Sequence, residues 1–510
     1  MCNRGEKDLK NGMRKAVVIT YITIILGNVI SLVYTPFMVA KLGKSEFGLF
    51  SLVNSIVAYI YLLDMGFGNA VIRYNSKYMV EKNEDGRRKV NGMFLSLYLV
   101  LGLISLIIGT IVYFNLGKIM GKNLSPVEII KTKQMFMVAI FNIALSFPLS
   151  IFNSIITAHE KFVYIKLINL IRTILNPVIM ITILLFGSRA FGMVIGSTVF
   201  NLMLGLMNVI YCFKILKLKI KFAGFDKALF REIFKYSFFV FLGAIAYQIY
   251  WNTDQLILAI FVGSAPIAIY AVSSQFNTYF ISLSNVLSSI FLPKLTKMVA
   301  VEENKNELMK LLTKVGRIQY YICSYIFVGF VLVGKQFIVR WMGESYSYCY
   351  IIAIILMFPQ IFSIIQSLFA TMLEAMNKHK VKAYIYLTIA IVNVLISVLL
   401  VKKYQGLGCA IGTAIGMIIN ATANNIYYKY FIKLDIKYFW LKILKLVIPS
   451  SITFGLGFIV IKMLSPSSYI SILIFGIIFT IIYFIVFWIL GFNKYEKDIF
   501  VSTLKKVRIR

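Results

Sequence analysis

Acidic side chains are scarce in this chain, 20 Asp and Glu against 53 Lys and Arg, which gives a formal net charge of +33. Histidine is scarcer still. His159 and His379 fall in short inner loops, and neither has a metal-ligand or nucleophile partner at useful spacing. No metal site, cofactor site or catalytic constellation follows from such a set. The five cysteines (Cys2, Cys212, Cys323, Cys349, Cys409) are scattered, odd in number and without CxxC spacing. That excludes a disulfide framework and reads as apolar filling. Long polar stretches are also missing, so no segment between the apolar runs is long enough for a soluble catalytic domain. The basic residues punctuate apolar runs instead of forming a patch on a polar domain, which argues against a nucleic-acid partner. Gly406-Leu407-Gly408 opens an apolar helix with no strand before it and no GxGxxG, so a nucleotide site is not supported. The basic N-terminus leads into an apolar run with no small-residue cleavage site. At about 25 residues that run is too long for a signal-peptide core of about 7–15, and it reads as a first retained helix.

What the chain does have is apolar length. It is 60% hydrophobic with a mean hydropathy of +0.83, far above the roughly 45–50% of soluble domains. A membrane helix needs roughly 20 apolar residues. Fourteen such spans are expected, at 16–40, 47–72, 92–115, 133–157, 162–186, 191–213, 235–261, 267–292, 317–339, 348–374, 383–401, 407–428, 441–463 and 469–491. With a cytoplasmic N-terminus, 39 of the 53 Lys and Arg residues fall on the inner side, richest in 73–91, 214–235, 293–317 and the tail ending Lys505, Lys506, Arg508 and Arg510. This positive-inside bias favours an even helix count with both termini cytoplasmic.

The chain also repeats itself. Gly192, Ile195, Gly196, Asn208, Ile210 and Tyr211 recur 216 residues later as Gly408, Ile411, Gly412, Asn424, Ile426 and Tyr427. Ser146, Ser150, Ser154, Ala158 and Asn176 recur at an offset of 217 as Ser363, Ser367, Thr371, Ala375 and Asn393. The expected fold is therefore an all-α integral membrane protein of about fourteen transmembrane helices. Two six-helix parallel-repeat lobes, 1–232 and 233–435, would be followed by helices 13 and 14 with a basic tail at 436–510. An internal repeat of membrane helices is a transporter signature.

Polar groups inside the membrane are costly and mark candidate pathways. Lys166, Asn169, Arg172, Thr173 and Asn176 form one stripe of the fifth helix. Arg172 lies about ten residues, or roughly 15 Å, from the inner end. Two cations there suit an anionic cargo such as a phosphate, or else pair with a carboxylate on another helix. In the seventh helix, Gln248, Asn252 and Gln255 share one face, and Tyr247, Trp251 and Asp254 the next. Asp254 is placed either to bind a coupling cation or proton or to neutralise Arg172. Glu374 ends the stripe Gln360, Ser363, Ser367, Thr371 near the inner surface. The Ser and Thr residues at i, i+4, i+8 are common packing glue, as are Gly192/Gly196 and Gly408/Gly412/Gly416. Ser274, Gln275, Thr278, Ser282, Asn285 and Ser289 make the eighth helix polar enough to line a cavity. Pro36, Pro148, Pro177 and Pro359 fall inside helices, where they can kink.

Three segments carry a family resemblance. Leu63-Asp64-Met65-Gly66-Phe67-Gly68-Asn69-Ala70-Val71-Ile72-Arg73 resembles the LDxGxxxAxxR segment of bacterial oligosaccharide flippases. Asn252-Thr253-Asp254-Gln255-Leu256-Ile257-Leu258 resembles their seventh-helix signature. Leu42-Gly43 through Gly48-Leu49-Phe50 resembles their LGxxxFGxY stretch, with Phe50 where Tyr is usual. The chain is thus similar to the Wzx-type polysaccharide flippase group, in the superfamily that also holds the multidrug (MATE-like) exporters and the lipid II flippase. The resemblance implies an undecaprenyl-diphosphate-linked oligosaccharide as cargo, flipped from the inner to the outer leaflet of the bacterial cytoplasmic membrane. It also implies V-shaped lobes that alternate access, coupling to H+ or Na+, and work alongside a polysaccharide polymerase and assembly proteins. On that reading Lys166 and Arg172 hold the diphosphate, Arg73 makes first contact with the headgroup, and Asp64 holds Arg73 or senses a proton. Proton-coupled multidrug antiporters usually carry a carboxylate in helix 1, and residues 16–40 contain none. The lipid II flippase group typically has more cavity cations than the two found here. An enzyme of the same pathway would need acid–base chemistry in a large outer loop, and 116–132 offers Lys118, Lys122, Glu128 and Lys131 without an acid–base pair.

Overall fold

A computed structural model describes residues 2–222, 227–284, 288–300, 304–376, 378–466 and 468–498. Among these the regular structure is helical, with no strand. Among the described residues, eleven helical stretches are long and apolar enough to cross a membrane, which makes the chain a multi-pass membrane protein. The basic tail at 505–510 and part of the span expected at 267–292 lie outside the described residues.

The helices in chain order are Cys2–Ile60 (α1), Phe67–Val80 (α2), Glu84–Met120 (α3), Pro126–Ala158 (α4), Phe162–Leu185 (α5), Ala190–Ile210 (α6), Lys227–Phe261 (α7), Ser264–Ser284 (α8), Ser288–Ala300 (α9), Lys305–Met342 (α10), Cys349–Ile365 (α11), Ser367–Ala375 (α12), His379–Tyr404 (α13), Gly406–Tyr430 (α14), Ile436–Leu444 (α15), Val447–Leu464 (α16) and Tyr469–Val486 (α17). The apolar stretch Val18–Val80 is 63 residues long, or roughly 95 Å if straight, about three hydrocarbon thicknesses. It turns at Gly43, whose φ of 77° and ψ of 168° lie outside the helical region. Only glycine adopts such a conformation without strain, and the expected spans 16–40 and 47–72 lie on either side of it.

Several helices overrun their apolar spans because their polar ends are capped. Asn83 accepts a hydrogen bond from the Gly86 amide at 2.8 Å, and Glu84 and Asp85 occupy the first turn of α3, favourable at the positive end of a helix. Ser125, Pro126 and Glu128 start α4 as a capping box with proline at the first position, a pattern worth about 1 kcal/mol. Other expected spans are interrupted. The second breaks at Met65 (φ 48°) and Gly66 (φ 74°), the tenth at Gln366 between α11 and α12, and the thirteenth at 445–446 between α15 and α16. Pro36, Pro148, Pro177 and Pro359 all sit inside continuous helices. Each break lies within a run that stays predominantly apolar on both sides, which is why composition alone misses it.

Two compact units emerge. The first comprises residues 1–271 with 398–406. Its core is built from Leu49, Leu52, Phe67, Val71, Phe94, Tyr98, Phe136, Ile143, Phe147 and Ile151. Close helix contact there needs glycine. A Cβ on Gly102 would sit 2.6 Å from the Ala144 carbonyl oxygen, and one on Gly196 2.2 Å from Ile183 Cδ1. The opposite side of α3 exposes Leu99, Leu103, Ile107, Ile111 and Phe114, a stripe at helical spacing that suits lipid.

The second unit comprises 272–397 with 407–510. Leu312, Cys323, Ile352, Leu356, Leu368, Phe369, Cys409, Phe439 and Phe487 are buried in it. Its polar anchor is Arg317 on α10, which donates to both carboxylate oxygens of Glu496 at 2.7 and 2.9 Å, to the Gly491 carbonyl at 2.9 Å and to the Tyr321 hydroxyl at 2.7 Å. This ties the segment after α17 back onto α10. An apolar groove of about 460 Å³ in the same unit is lined by Phe327, Val331, Phe358, Phe362, Val447 and Phe454.

Candidate functional site

The candidate residues of the first unit fall on three elements: the broken second span, α5 and α7. The break places Asp64 at the end of a 3-10 turn, Tyr61–Asp64. Asp64 Oδ1 accepts the Tyr98 hydroxyl at 2.8 Å, and the Gly66 amide donates to the same carboxylate. Tyr98 is fully buried and also bonded to Ser150 of α4. Asp64 therefore pins the break to α3 and, through Tyr98, to α4. Arg73 lies two turns further along α2, exposed, with its guanidinium 5.8 Å from the Tyr74 ring.

The α5 stripe is open. Asn169 and Arg172 are exposed, and Lys166 and Asn176 are half-buried. Among the described residues neither Lys166 nor Arg172 pairs with a carboxylate. Arg172 lies near the neutral hydroxyl of Tyr61, which bonds Ser146 of α4. The internal repeat sharpens the contrast. Asn393, the second-half counterpart of Asn176, is 1% exposed and accepts from Ser397 at 3.2 Å and Thr413 at 3.3 Å. Asn176 has no hydrogen-bond partner among the described residues. Lys166 and Arg172 correspond to Ala383 and Ile389. At these two aligned positions the second half carries no cation.

The α7 residues are engaged. Gln255 accepts the Ser55 hydroxyl at 2.7 Å, and Gln248 donates to the Ala58 carbonyl at 3.1 Å. Asn252 donates to Gln248. Asp254 is buried at 2% exposure and accepts the hydroxyl of Tyr270 on α8. Glu374, in the second unit, is exposed and bonded by Lys382 at 3.2 Å, a solvated surface pair. On α8, Thr278 and Ser282 bond backbone carbonyls of their own helix, and Gln275 bonds Tyr279.

Two carboxylates that the sequence reading gave no role, Glu46 and Glu128, organise one end of the first unit. Glu46, 5% exposed, receives Lys131 at 2.9 Å, Arg189 at 3.2 Å and the Ala190 amide at 3.0 Å. Glu128 accepts the hydroxyls of Ser45 and Ser264, each at 2.5 Å. Its signal was the S-x-x-E cap at Ser125–Glu128. For Glu46 the signal was an acid amid the LGxxxFG stretch.

The fold is that of a multidrug-exporter-like membrane transporter. The structure of the lipid II flippase MurJ in an inward closed conformation superposes with a TM-score of 0.74 at 19% identity, over 95% of this chain and 99% of that one. An inward-facing multidrug resistance MATE family transporter of the MOP superfamily gives 0.66 at 14% identity, over 82% and 98%. Within that fold, residues 13–298 match the polysaccharide biosynthesis protein family, and the chain belongs to it. The three segments that resemble Wzx-type flippases, 42–50, 63–73 and 252–258, lie inside this match. A Shigella flexneri protein named "Putative O-antigen transporter" is 22% identical over 395 residues, 76% of this chain and 90% of that protein. The capsular polysaccharide biosynthesis protein CapF of Staphylococcus aureus is 32% identical over 148 residues, 29% of this chain and 37% of CapF.

Proposed function

We propose that this protein flips undecaprenyl-diphosphate-linked oligosaccharide repeat units from the inner to the outer leaflet of the bacterial cytoplasmic membrane for surface polysaccharide assembly. The observation that carries this is the α5 stripe. Two cations without carboxylate partners among the described residues stand on α5, at positions whose repeat counterparts are the uncharged Ala383 and Ile389. A cation held without a counter-charge in low dielectric is poised for an anion, and a diphosphate is the anionic part of a lipid-linked glycan. Arg73 supplies a first contact at the inner end of α2. Asn169 and Asn176 supply neutral donors, and the apolar groove of the second unit suits an isoprenoid segment. Names of relatives in O-antigen and capsule assembly support the same cargo class.

The two six-helix repeats, 1–232 and 233–435, act as alternating-access lobes, with 436–510 outside the repeat and both termini cytoplasmic. Asp254 and Asp64 are the carboxylates available to an H+ or Na+ coupling step. A multidrug antiporter for organic cations fits less well, because unpaired Lys166 and Arg172 repel such cargo. The test is depletion of the protein in its host with mass spectrometry of lipid-linked glycans. Accumulation of one undecaprenyl-diphosphate oligosaccharide with loss of a surface polymer supports the proposal. Unchanged glycans with altered sensitivity to cationic dyes move the protein to the multidrug reading.

A further inference from the structure

Antiparallel α3 and α4 touch through glycine. A Cβ on Gly109 would lie 2.6 Å from Ile140 Cγ2. Ile140 is 5% exposed and forms the floor of a groove of about 490 Å³ between the two helices. Leu106, Thr110, Tyr113 and Phe114 of α3 make one wall, at helical spacing, and Met137 and Phe141 of α4 make the other. From residue 106 to residue 114 the groove follows roughly 12 Å of helix. Its rim is apolar and faces away from the core of the unit, since Phe114, Met137 and Phe141 are 68%, 64% and 55% exposed. The volume falls within the roughly 300–1,000 Å³ of ordinary ligand pockets. An apolar trough at this depth is shaped for a hydrocarbon chain.

One end of the groove is cationic. Lys133 shares a face of α4 with Met137, one turn nearer the surface, and its Nζ stands 5.2 Å from the centre of the Tyr113 ring. Lys118 lies one turn beyond Phe114 on the same face of α3. Among the described residues neither lysine pairs with a carboxylate. The acids of α3, Glu84 and Asp85, sit at its opposite end, and Glu128 is taken by Ser45, Ser125 and Ser264. Lys131, two residues before Lys133, turns inward to Glu46 at 2.9 Å. So α4 spends one cation on the protein and leaves the next facing lipid. A lysine that only snorkels extends its head into water, whereas Lys133 is half-buried and held beside an aromatic ring. A trough for a hydrocarbon chain that ends at two uncompensated ammonium groups is complementary to an amphiphile with an anionic head. The ammonium of a zwitterionic head is repelled there.

We propose that this groove is a binding site for an anionic phospholipid of the outer leaflet, with one acyl chain between α3 and α4 and the phosphate on Lys133 and Lys118. The leaflet is the one the charge pattern places outside. The groove shares no residue with the α5 stripe, so the site does not depend on what the protein carries. The test is native mass spectrometry of the full-length protein released from detergent, with phosphatidylglycerol and phosphatidylethanolamine added in equal amounts. The wild type should retain phosphatidylglycerol in preference. Lys118→Gln with Lys133→Gln should lower that retention at least tenfold, at about fivefold per lysine. Thr110→Trp fills the trough from an exposed position and leaves both lysines in place, and it should lower retention by a similar factor. Added phosphatidylglycerol should also raise the unfolding temperature of the wild type more than that of either variant, while the variants without lipid unfold like wild type. Equal retention of the two lipids, or unchanged phosphatidylglycerol retention in the lysine pair variant, overturns the site. Loss in the lysine variant with full retention in Thr110→Trp reduces the site to surface charge and overturns the groove. Displacement of phosphatidylglycerol by equimolar undecaprenyl phosphate overturns the phospholipid assignment in favour of a cargo lipid.

Discussion

Replacing Arg172 with alanine separates a cargo-binding cation from a structural one. A membrane-embedded arginine paired with a carboxylate costs about 3–5 kcal/mol when removed, because its partner is left charged and buried. Arg172 has no such partner among the described residues, so Arg172→Ala should insert and unfold like wild type, within about 0.5 kcal/mol. Transport should behave differently. A guanidinium–phosphate contact at about 4 Å is worth about 4 kcal/mol at an effective dielectric of about 20, and charge-assisted hydrogen bonds measure about 1.5–3 kcal/mol. A loss of about 2–4 kcal/mol predicts a roughly 30- to 1,000-fold fall in flux. Arg172→Lys keeps the charge and loses the fork geometry, and should fall between. The assay is complementation of a deletion strain, with lipid-linked precursor quantified and thermal unfolding of purified protein measured in parallel. Wild-type flux in Arg172→Ala refutes the cavity-cation argument. Lost flux together with several kcal/mol of lost stability refutes the claim that Arg172 is unpaired.

Further expectations concern the scaffold. Tyr98→Phe and Asp64→Ala should each impair transport, and the double variant should lose about 1–2 kcal/mol less than the sum, since both remove one hydrogen bond; strict additivity in a double-mutant cycle contradicts the pinning role. Gly48→Ala should abolish surface polymer, because its Cβ meets the Ser264 backbone, whereas Gly455→Ala, with nothing within 4 Å, should be neutral or gain up to about 1 kcal/mol of stability; equal effects in an unfolding assay refute the close approach. Burial pushes the Glu496 carboxyl up, but hydrogen bonds from Arg317, Tyr321 and the Asn493 amide outweigh it and hold the group below its ordinary value of 4.5. Its stabilisation is therefore full above about pH 4.5 and is lost as pH falls through the lower folded value. Glu496→Gln should flatten that part of the unfolding profile, and an unchanged slope counts against the anchor.

The membrane class, the helix-rich fold and the repeat were legible because hydropathy, charge asymmetry and a fixed offset are properties of the chain itself. The α5 stripe was legible for the same reason, since Lys166, Asn169, Arg172 and Asn176 share a face by spacing alone. Partners were not legible. Asp64 with Tyr98 joins residues 34 apart, Ser55 with Gln255 residues 200 apart and Glu46 with Arg189 residues 143 apart, and no local pattern reports such contacts. Both roles considered for Asp64 overlooked the turn it closes. The breaks at Met65–Gly66 and Gln366 escaped because long apolar runs continue beyond them on both sides, and the few polar or glycine residues there (Asp64, Gly66, Gly68, Ser363, Gln366, Ser367) are also compatible with an unbroken membrane helix.

The most direct test of the account is reconstitution. Purified protein goes into vesicles with an undecaprenyl-diphosphate-linked oligosaccharide, and a membrane-impermeant glycosidase reports which leaflet displays the sugar. The account predicts protein-dependent exchange that Arg172→Ala loses. Exchange no faster than in protein-free vesicles, under either an H+ or a Na+ gradient, contradicts it.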